Sequence, residues 1–165
     1  MSTKIEWCDE TWNPITGCTP KSEACANCYA KGIAKRFWNG KPFDEITFHP
    51  ERLRIPLGWK KPKRIFVGSM TDIFHDDVKP EWIDQILEVI GACPQHTFIF
   101  LTKRPENIHS KLYDGVCREL GGGDYYPNVW LGVTVENQQR ADERIPILLE
   151  RYEWPVKFIS VEPML

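Results

Sequence analysis

The chain has 165 residues, of which 42% are apolar and 27% charged, and its net charge is −2. This balance excludes a disordered or strongly charged chain and predicts a single folded domain over residues 1–165. Its apolar runs are too short for a membrane span, and its first residues lack the apolar region of a secretion signal. The sequence therefore predicts a cytoplasmic protein, where clustered cysteines favour metal binding or catalysis over disulfides.

The first predicted elements surround three closely spaced cysteines. Cys18, Cys25 and Cys28 fall within eleven residues, so their thiolates can hold one metal centre together. Three ligands are one short of the four that complete a structural zinc site or an ordinary iron–sulfur cluster. An open coordination position is a place for chemistry, which makes these cysteines the leading candidates for metal ligands.

Secondary structure around the cysteines is predicted from the flanking residues. Residues 15–17 are the end of a short first strand, 18–26 the loop beyond it and 27–38 the next helix. Cys28 then falls in the first turn of that helix. The Pro-containing stretch 39–63 is an insertion before the second strand.

A basic and aromatic segment overlaps this insertion. Residues 31–64 hold ten Lys or Arg side chains and three acidic ones, a local charge of +7. Aromatic residues are interleaved with them, namely Phe37, Trp38, Phe43, Phe48 and Trp59. Such a pattern suits a nucleic-acid backbone with unstacked bases. The alternative is a solvated insertion whose aromatic side chains pack inward.

Four short apolar runs follow at regular intervals. They are 64–68, 97–101, 128–133 and 156–159, and their second residues lie 33, 31 and 28 residues apart. Each run is apolar on both faces, as buried parallel strands are. With helical patterns between them, they predict right-handed β–α–β units and a parallel sheet.

Three apolar stripes at helical spacing separate the predicted strands. Pro80 suits the first turn of the first helix, and Pro146 is expected to delay or kink the third. The stripes are Trp82, Ile83, Ile86, Leu87, Val89 and Ile90; Ile108, Leu112, Val116 and Leu120; and Ala141, Ile145, Leu148, Leu149 and Tyr152. Helices of this kind cover the faces of a parallel sheet.

Each predicted strand ends in hydroxyl-bearing or charged residues. In parallel α/β folds the working residues gather where strands end and loops begin, so we expect one active face. Its candidates are Ser69, Thr71 and Asp72; Thr102, Lys103 and Arg104; Thr134 and Glu136; and Ser160 and Glu162. The loop of the three cysteines joins the same face.

These motifs resemble the radical S-adenosylmethionine (SAM) superfamily. More closely, the chain is similar to the phage-associated three-Cys-motif proteins, a family without a settled function. The residues that carry the likeness are 5–7, 11–18, 25–30, 69–72, 101–105 and 160–163. The spacing Cys-x6-Cys-x2-Cys departs from the superfamily's commonest Cys-x3-Cys-x2-Cys, and Asn27 stands where an aromatic residue is usual.

The resemblance implies a partial (β/α) barrel with parallel strands, one strand short of the usual six. It implies that Cys18, Cys25 and Cys28 each ligate one iron of a [4Fe–4S] cluster. The fourth iron is then free for the amino and carboxylate groups of SAM. An external donor supplies one electron, which cleaves SAM and releases a 5′-deoxyadenosyl radical that abstracts hydrogen from a substrate.

The resemblance also assigns roles to the strand-end residues. Ser69, Thr71 and Asp72 are expected to hold the amino group of SAM, and Lys103 to offset its carboxylate. Thr134 and Glu136 are expected to reach the ribose hydroxyls. Glu162 is expected to line the substrate side.

The substrate and partners follow less directly from the residues. The basic segment 31–64, with the analogy of the superfamily's thymine-lesion lyases, favours nucleic acid or a nucleotide. A peptide or a small molecule passed on by a partner enzyme stays open. A protein partner is expected at the open C-terminal edge of the sheet, since unpaired strand edges are hazardous.

Two other functions remain open at this point. Cys8 can supply a fourth thiolate, which makes a closed zinc site and a nucleic-acid-binding module with the basic segment as its face. The chain can also be a truncated, non-catalytic protein that binds a partner. Metal analysis separates the first of these from a cluster protein.

The remaining reactive residues are given structural roles. Cys93 and Cys117 are interpreted as buried or inert thiols. His75, Asp76 and Asp77 are interpreted as a turn leading into a helix, with a second metal site or a proton relay as the alternative. Trp7, Trp12 and Tyr29 are expected to form a dry wall beside the cysteines; these three flank the cysteine motif.

Overall fold

The computed structural model describes residues 5–113, 126–150 and 154–163 of the chain. Its strands, in chain order, are β1 (Glu10–Trp12), β2 (Ile15–Thr16), β3 (Thr47–Phe48), β4 (Arg64–Val67), β5 (Thr97–Thr102), β6 (Val129–Thr134) and β7 (Val156–Ser160). Its α-helices are α1 (Tyr29–Phe37), α2 (Pro80–Gly91), α3 (Ile108–Tyr113) and α4 (Gln138–Leu149). Short 3-10 helices lie at Glu23–Asn27, Pro50–Arg52, Pro56–Gly58 and Pro105–Asn107.

Five of the strands form one parallel sheet in the order β1-β4-β5-β6-β7. The four predicted strands from residue 64 onward are confirmed, with ends that differ by one residue. Each of these strands before β7 is followed along the chain by an α-helix and then by its neighbour in the sheet, which is an α/β arrangement, and among the described strands β1 and β7 are the open edges. The predicted fold class is thus confirmed.

The prediction for the first strand was wrong. The sheet begins with β1 at Glu10–Trp12, which pairs with β4 through the partners Glu10 and Ile65. The predicted first-strand residues Ile15 and Thr16 instead form β2, which pairs antiparallel with β3 of the insertion. Pro14 explains the break between the two strands, because it has no N–H group to continue a sheet ladder.

The four α-helices of the described residues correspond to the helix predicted after the cysteines and to the three predicted apolar stripes. Some of their bounds differ from the prediction. Cys28 is the N-cap of α1 rather than a residue of its first turn, because the predicted loop contains the 3-10 helix Glu23–Asn27. Pro80 does begin α2, as predicted. Pro146 lies inside α4 and does not delay it, since Asn137 caps the helix nine residues earlier.

Some predicted features fall outside the described residues. These are the second stripe beyond Tyr113, the thiol of Cys117 and the third-stripe residue Tyr152. In the part of the chain that the structure covers, no helix has the length and apolar character needed to cross a membrane.

The core lies between the sheet and α2. This helix buries Ile83, Ile86, Leu87 and Ile90, as its stripe predicts, against strand residues that include Phe98. Each such side chain contributes about 1.5–3 kcal/mol when it is fully buried. The packed face fixes the strands, and their carboxyl ends consequently form a rigid rim for the site.

Candidate active site

The three cysteines border two adjoining cavities at the carboxyl ends of the strands. A cavity of about 180 Å³ lies on their outer side, and its lining includes Lys31 and Phe43. A second cavity of about 470 Å³ lies between the cysteines and the strand ends. The larger volume is within the range of about 300–1,000 Å³ that small-molecule and cofactor sites occupy.

The backbone around Cys18 is fixed by the insertion. The N–H of Cys18 donates to the carbonyl of Phe43 at 2.8 Å, and the N–H of Gly17 donates to that of Met70 at 3.0 Å. Gly17 has a φ of +99°, and a Cβ built on it would lie 2.1 Å from the carbonyl oxygen of Glu45. Only glycine fits this position, so the insertion and the cysteine loop form one unit.

Arg104 joins this loop to the sheet. Its side chain is 2% exposed, and its Nη2 donates to the carbonyl oxygen of Thr19 at 3.1 Å and to the Thr19 hydroxyl at 3.2 Å. Its Nη1 lies 3.4 Å from Oδ2 of Asp72 and 3.9 Å from Sγ of Cys18. A buried guanidinium therefore stands beside the first cysteine, where a negative metal centre needs a counter-charge.

Asp72 organises the other side of Arg104. Its carboxylate accepts hydrogen bonds from the hydroxyl of Thr102 at 2.7 Å and from the N–H of Lys103 at 3.0 Å. It also accepts from the N–H of Phe74 at 3.1 Å. A carboxylate with this many donors is fully used in positioning Arg104 and the end of β5. Its predicted contact with the amino group of SAM stays untested.

His75 is a second anchor for the cysteine loop. It is 2% exposed, its Nδ1 accepts from the N–H of Asp77 at 3.1 Å, and its Nε2 lies 2.7 Å from the Thr19 hydroxyl. The backbone N–H of Thr19 also lies 3.4 Å from this nitrogen. Burial and the charge of Arg104 lower the pKa of His75, which favours the neutral ring.

The thiols of Cys18 and Cys25 differ in their electrostatic surroundings. Burial and the charge of Asp72 raise the pKa of Cys18 to about 11. Burial also raises the pKa of Cys25, but backbone N–H groups of Lys21 and Ser22 and the charge of Lys103 outweigh it, so the net shift is downward. Metal binding at Cys18 must therefore release a proton.

Most of the predicted cofactor residues meet at the larger cavity. Its lining contains nine of them, Cys18, Cys25, Cys28, Ser69, Thr71, Asp72, Lys103, Thr134 and Glu162. The hydroxyls of Ser69 and Thr71 brace the site, since Ser69 bonds to Asn13 at 3.0 Å and Thr71 donates to the carbonyl of Gly17 at 2.6 Å. The structure brings these residues together, while their roles toward SAM stay predictions.

Lys103 and Glu162 are the charged residues best placed to meet a ligand in this cavity. Neither forms an ion pair with any residue in the described ranges, and the Nζ of Lys103 lies 4.0 Å from Sγ of Cys25. A zwitterionic ligand needs one cation and one anion to receive it. The cavity offers both beside the cysteines.

Glu136 is not part of the cavity. Its side chain is completely buried, and its Oε2 accepts from Nη1 of Arg144 at 2.8 Å. Arg144 is itself 4% exposed and also bonds to the carbonyl of Thr134. The buried arginine on α4 draws Glu136 inward, away from the ribose contact that its sequence position predicted.

The sequence did not show what three residues do in the site. Arg104 is one of the expected strand-end candidates but has no predicted role of its own, Phe43 borders both cavities from the insertion, and the hydroxyl of Tyr29 donates to the carbonyl of Ser69 at 2.8 Å. Of these three, Arg104 could have been singled out from the sequence. It directly follows a buried strand, and burying a charged side chain costs free energy unless it is paired. The other two depend on contacts between distant segments.

The basic segment does not form one continuous face. Lys63 pairs with Glu10 at 2.7 Å and Arg64 with Asp9 at 3.7 Å, next to the amino end of β4 and so at the edge opposite the cavities. Several of its aromatic residues pack inward, as the alternative proposed: Phe48 stacks on Trp82 with ring centres 5.2 Å apart. Among the described residues, the cation of this segment that borders a cavity is Lys31 on α1.

The four-thiolate arrangement is not formed in the structure. Cys8 is buried, its Sγ lies 4.0 Å from the carbonyl oxygen of Ile5, and it borders neither cavity. Within residues 5–113, 126–150 and 154–163, no three His, Cys, Asp or Glu side chains are close enough to bind one metal ion. The same observation leaves His75, Asp76 and Asp77 without a metal site.

Comparison with known proteins places the chain in a family. Residues 2–165 match the model of a family described as Protein of unknown function (DUF5131). The chain belongs to this family. No curated protein matches its sequence.

Among solved structures, the chain is similar to a mutant of spore photoproduct lyase. The TM-score is 0.65 at 15% sequence identity, and the match covers 99% of this chain and 48% of that chain. The present chain thus spans about half the length of the lyase chain. At this identity the likeness shows the fold alone.

Proposed function

We propose that this protein is a radical SAM enzyme. In this proposal Cys18, Cys25 and Cys28 bind a [4Fe–4S] cluster, and the larger cavity takes SAM. One observation carries the proposal: three free thiols and the unpaired charges of Lys103 and Glu162 border a single cavity at the carboxyl ends of a parallel sheet. Ligand sites of parallel α/β folds lie at that edge.

The residues present fit a cluster. In a [4Fe–4S] cluster three thiolates can each bind a different iron and leave the fourth iron open. The three cysteines border the same cavities, and Cys8 borders neither of them. Arg104 and Lys103 supply positive charge beside Cys18 and Cys25.

When bound, the cluster and SAM together supply a 5′-deoxyadenosyl radical that abstracts hydrogen from a substrate. The residues of the chain bind and orient. Lys103 would offset the carboxylate of SAM, Ser69 and Thr71 would present oxygen atoms to its amino group, and Thr134 would face its ribose. Glu162 would line the substrate side.

The protein also has to keep water away from reactive species. Phe43, Phe66 and Leu101 give the larger cavity an apolar wall, and the ring of Tyr29 stands at its border. A dry wall protects an oxygen-sensitive centre and prevents side reactions of a radical. Trp12, by contrast, is a core residue whose Nε1 donates to the carbonyl of Arg52 at 2.9 Å.

Further parts of the proposal concern partners and location. We propose an external one-electron donor, and a substrate that is a nucleic acid or nucleotide. A protein partner would cover the edge strand β7, where Ile159 is 44% and the following Val161 52% exposed. The cysteines of the described residues are all free, which supports a reducing compartment such as the cytoplasm. The likeness to phage-associated proteins stays a prediction.

The test is anaerobic reconstitution with iron and sulfide, followed by measurement of iron, zinc and 5′-deoxyadenosine. We expect about four irons per chain, a brown protein and SAM-dependent release of 5′-deoxyadenosine. Iron binding and the release of 5′-deoxyadenosine should each be abolished in Cys18→Ala, Cys25→Ala and Cys28→Ala. The matched control Cys8→Ala should keep both. A colourless protein with one zinc, lost equally in Cys8→Ala, would refute the proposal.

A further inference from the structure

Helix α1 has an unusual distribution of side chains. It turns the small residues Ala30 and Ala34 inward and leaves its large apolar residues outside, with Tyr29 55%, Ile33 40% and Phe37 63% exposed. These three recur every four residues, so they lie along one side of the helix. An amphipathic helix normally does the reverse, which indicates that this side meets a partner.

The same helix carries positive charge without any acidic residue. Lys31, Lys35 and Arg36 are exposed, and none of them pairs with an acidic side chain among the residues that the structure covers. The guanidinium of Arg36 lies 5.1 Å from the ring centre of Phe37. At 3.6 residues per turn, Arg36 lies on the same flank of the helix as the exposed rings, and Lys31 and Lys35 lie on the opposite flank. We call this exposed surface of the helix, with both flanks, the α1 face (Tyr29, Lys31, Ile33, Lys35, Arg36 and Phe37).

The α1 face is continuous with the candidate active site. The helix begins directly after Cys28, its first residue Tyr29 borders the larger cavity, and Lys31 borders the smaller one. A chain molecule lying on this face would thus run toward the cavity. Nine helical residues extend over about 13 Å, enough for a few nucleotides.

We propose that the α1 face binds single-stranded or locally unpaired nucleic acid and guides it to the larger cavity. The inference rests on the proposed function for the cavity, and it names the surface by which a nucleic-acid substrate would reach that site. Phosphates would pair with Lys35 and Arg36, and unstacked bases would lie on Phe37 and Tyr29. One ligand class thereby accounts for the cations, the exposed rings and the path to the cavity.

The test is the fluorescence anisotropy of a labelled twelve-residue oligothymidylate with the full chain, at 50 mM and 200 mM salt. The double variant Lys35→Glu/Arg36→Glu should bind at least about tenfold more weakly and show a salt slope smaller by about 1.4, the value for two lost contacts to a single strand. The matched control Lys60→Glu/Lys61→Glu reverses two exposed charges just before β4, at the opposite edge, and should bind like the wild type.

A second pair of variants tests stacking separately from charge. Phe37→Ala should weaken binding about fivefold or more at an unchanged salt slope, and Phe37→Trp should keep the affinity. Because all the substituted side chains are exposed, all variants should keep the wild-type melting temperature and iron content. Equal loss in Phe37→Ala and Phe37→Trp, or in the control at residues 60 and 61, would overturn the inference.

The outcome is separable from that of the proposed function. The binding assay needs neither cluster nor SAM, so a protein that loads iron and cleaves SAM but binds no oligonucleotide up to about 100 µM, the weak limit of non-specific affinity, refutes the inference alone. Binding of an acidic protein through the α1 face, without binding of the oligonucleotide, would assign this face to a protein partner and overturn it too.

Discussion

At the scale of single residues, Arg104 is the side chain on which the cysteine loop depends most. Its guanidinium joins Thr19, the neighbour of Cys18, to Asp72 at the end of β4, and almost none of it is exposed. A buried charge of this kind is stable only while all its partners are present. The arginine therefore links the geometry of the cysteine loop to the sheet.

Arg104→Met should leave the Asp72 carboxylate buried without its partner and lower the free energy of unfolding by about 3–5 kcal/mol. Arg104→Lys keeps the charge but not the forked contact to Thr19, so it should fold and bind less iron than the wild type. Thermal unfolding and iron per chain measure the two effects. Wild-type iron content in a folded Arg104→Lys variant would contradict this role.

Gly17 gives a second prediction at the same scale. Gly17→Ala places a methyl group against the carbonyl of Glu45 and forces a positive φ, so we expect it to lower stability by more than about 1 kcal/mol and to reduce iron loading. The matched control is Gly32→Ala in α1, where a Cβ has nothing within 4 Å. That change should be neutral or stabilise by about 0.4–1 kcal/mol. Denaturant titration of both variants measures these changes in the free energy of unfolding.

At the scale of elements, the loop of the cysteines is tied to three other parts of the chain. Besides the anchors at Thr19, the Nζ of Lys21 lies 2.6 Å from Glu106. Glu23, in the 3-10 helix between the cysteines, bonds to Arg140 at 2.8 Å and to Asn137 at 2.6 Å. The loop is thus held by the segment after β4, by the segment after β5 and by α4 with its N-cap.

Glu23→Gln tests the attachment to α4. The pair with Arg140 is exposed to solvent, so its loss should leave the free energy of unfolding nearly unchanged. It should nevertheless free the loop, and we expect faster alkylation of Cys25 in the metal-free protein. The matched control is Glu143→Gln, which removes a 2.6 Å contact to the same Arg140 within α4 alone. Equal alkylation rates in both variants would show that Glu23 does not hold the loop.

The helices and strands that could be predicted share one property: their signals are local. The strands at 64, 97, 129 and 156 are apolar runs, and α2 has a proline start and a clear stripe. The strand β1 was missed because three residues with Glu10 and Thr11 show no apolar run, while its pairing with β4 comes from 55 residues away. Ile15 and Thr16 looked like a strand of the main sheet because their true partner is in the insertion.

At the scale of the whole molecule, the sequence predicted which segments meet at the site better than which side chains face it. Parallel strands put their ends on one rim, and Lys103, Thr134 and Glu162 accordingly border the cavity. The side chain of Glu136 lies away from the cavity because it is hydrogen-bonded to the buried Arg144 of α4, a contact that its own strand-end position does not indicate. The basic segment 31–64 is continuous in the sequence but not on the surface. Ion pairs with distant residues, such as Lys63 with Glu10, hold part of it at the opposite edge of the sheet.

The central claim is that three thiolates leave one iron open for SAM. The most direct measurement is electron paramagnetic resonance of the reconstituted, reduced wild-type protein before and after addition of SAM. We predict a signal of a reduced [4Fe–4S] cluster whose g values shift when SAM binds, because a ligand has entered the metal centre. A protein without a cluster signal, or a signal that excess SAM leaves unchanged, would contradict the account.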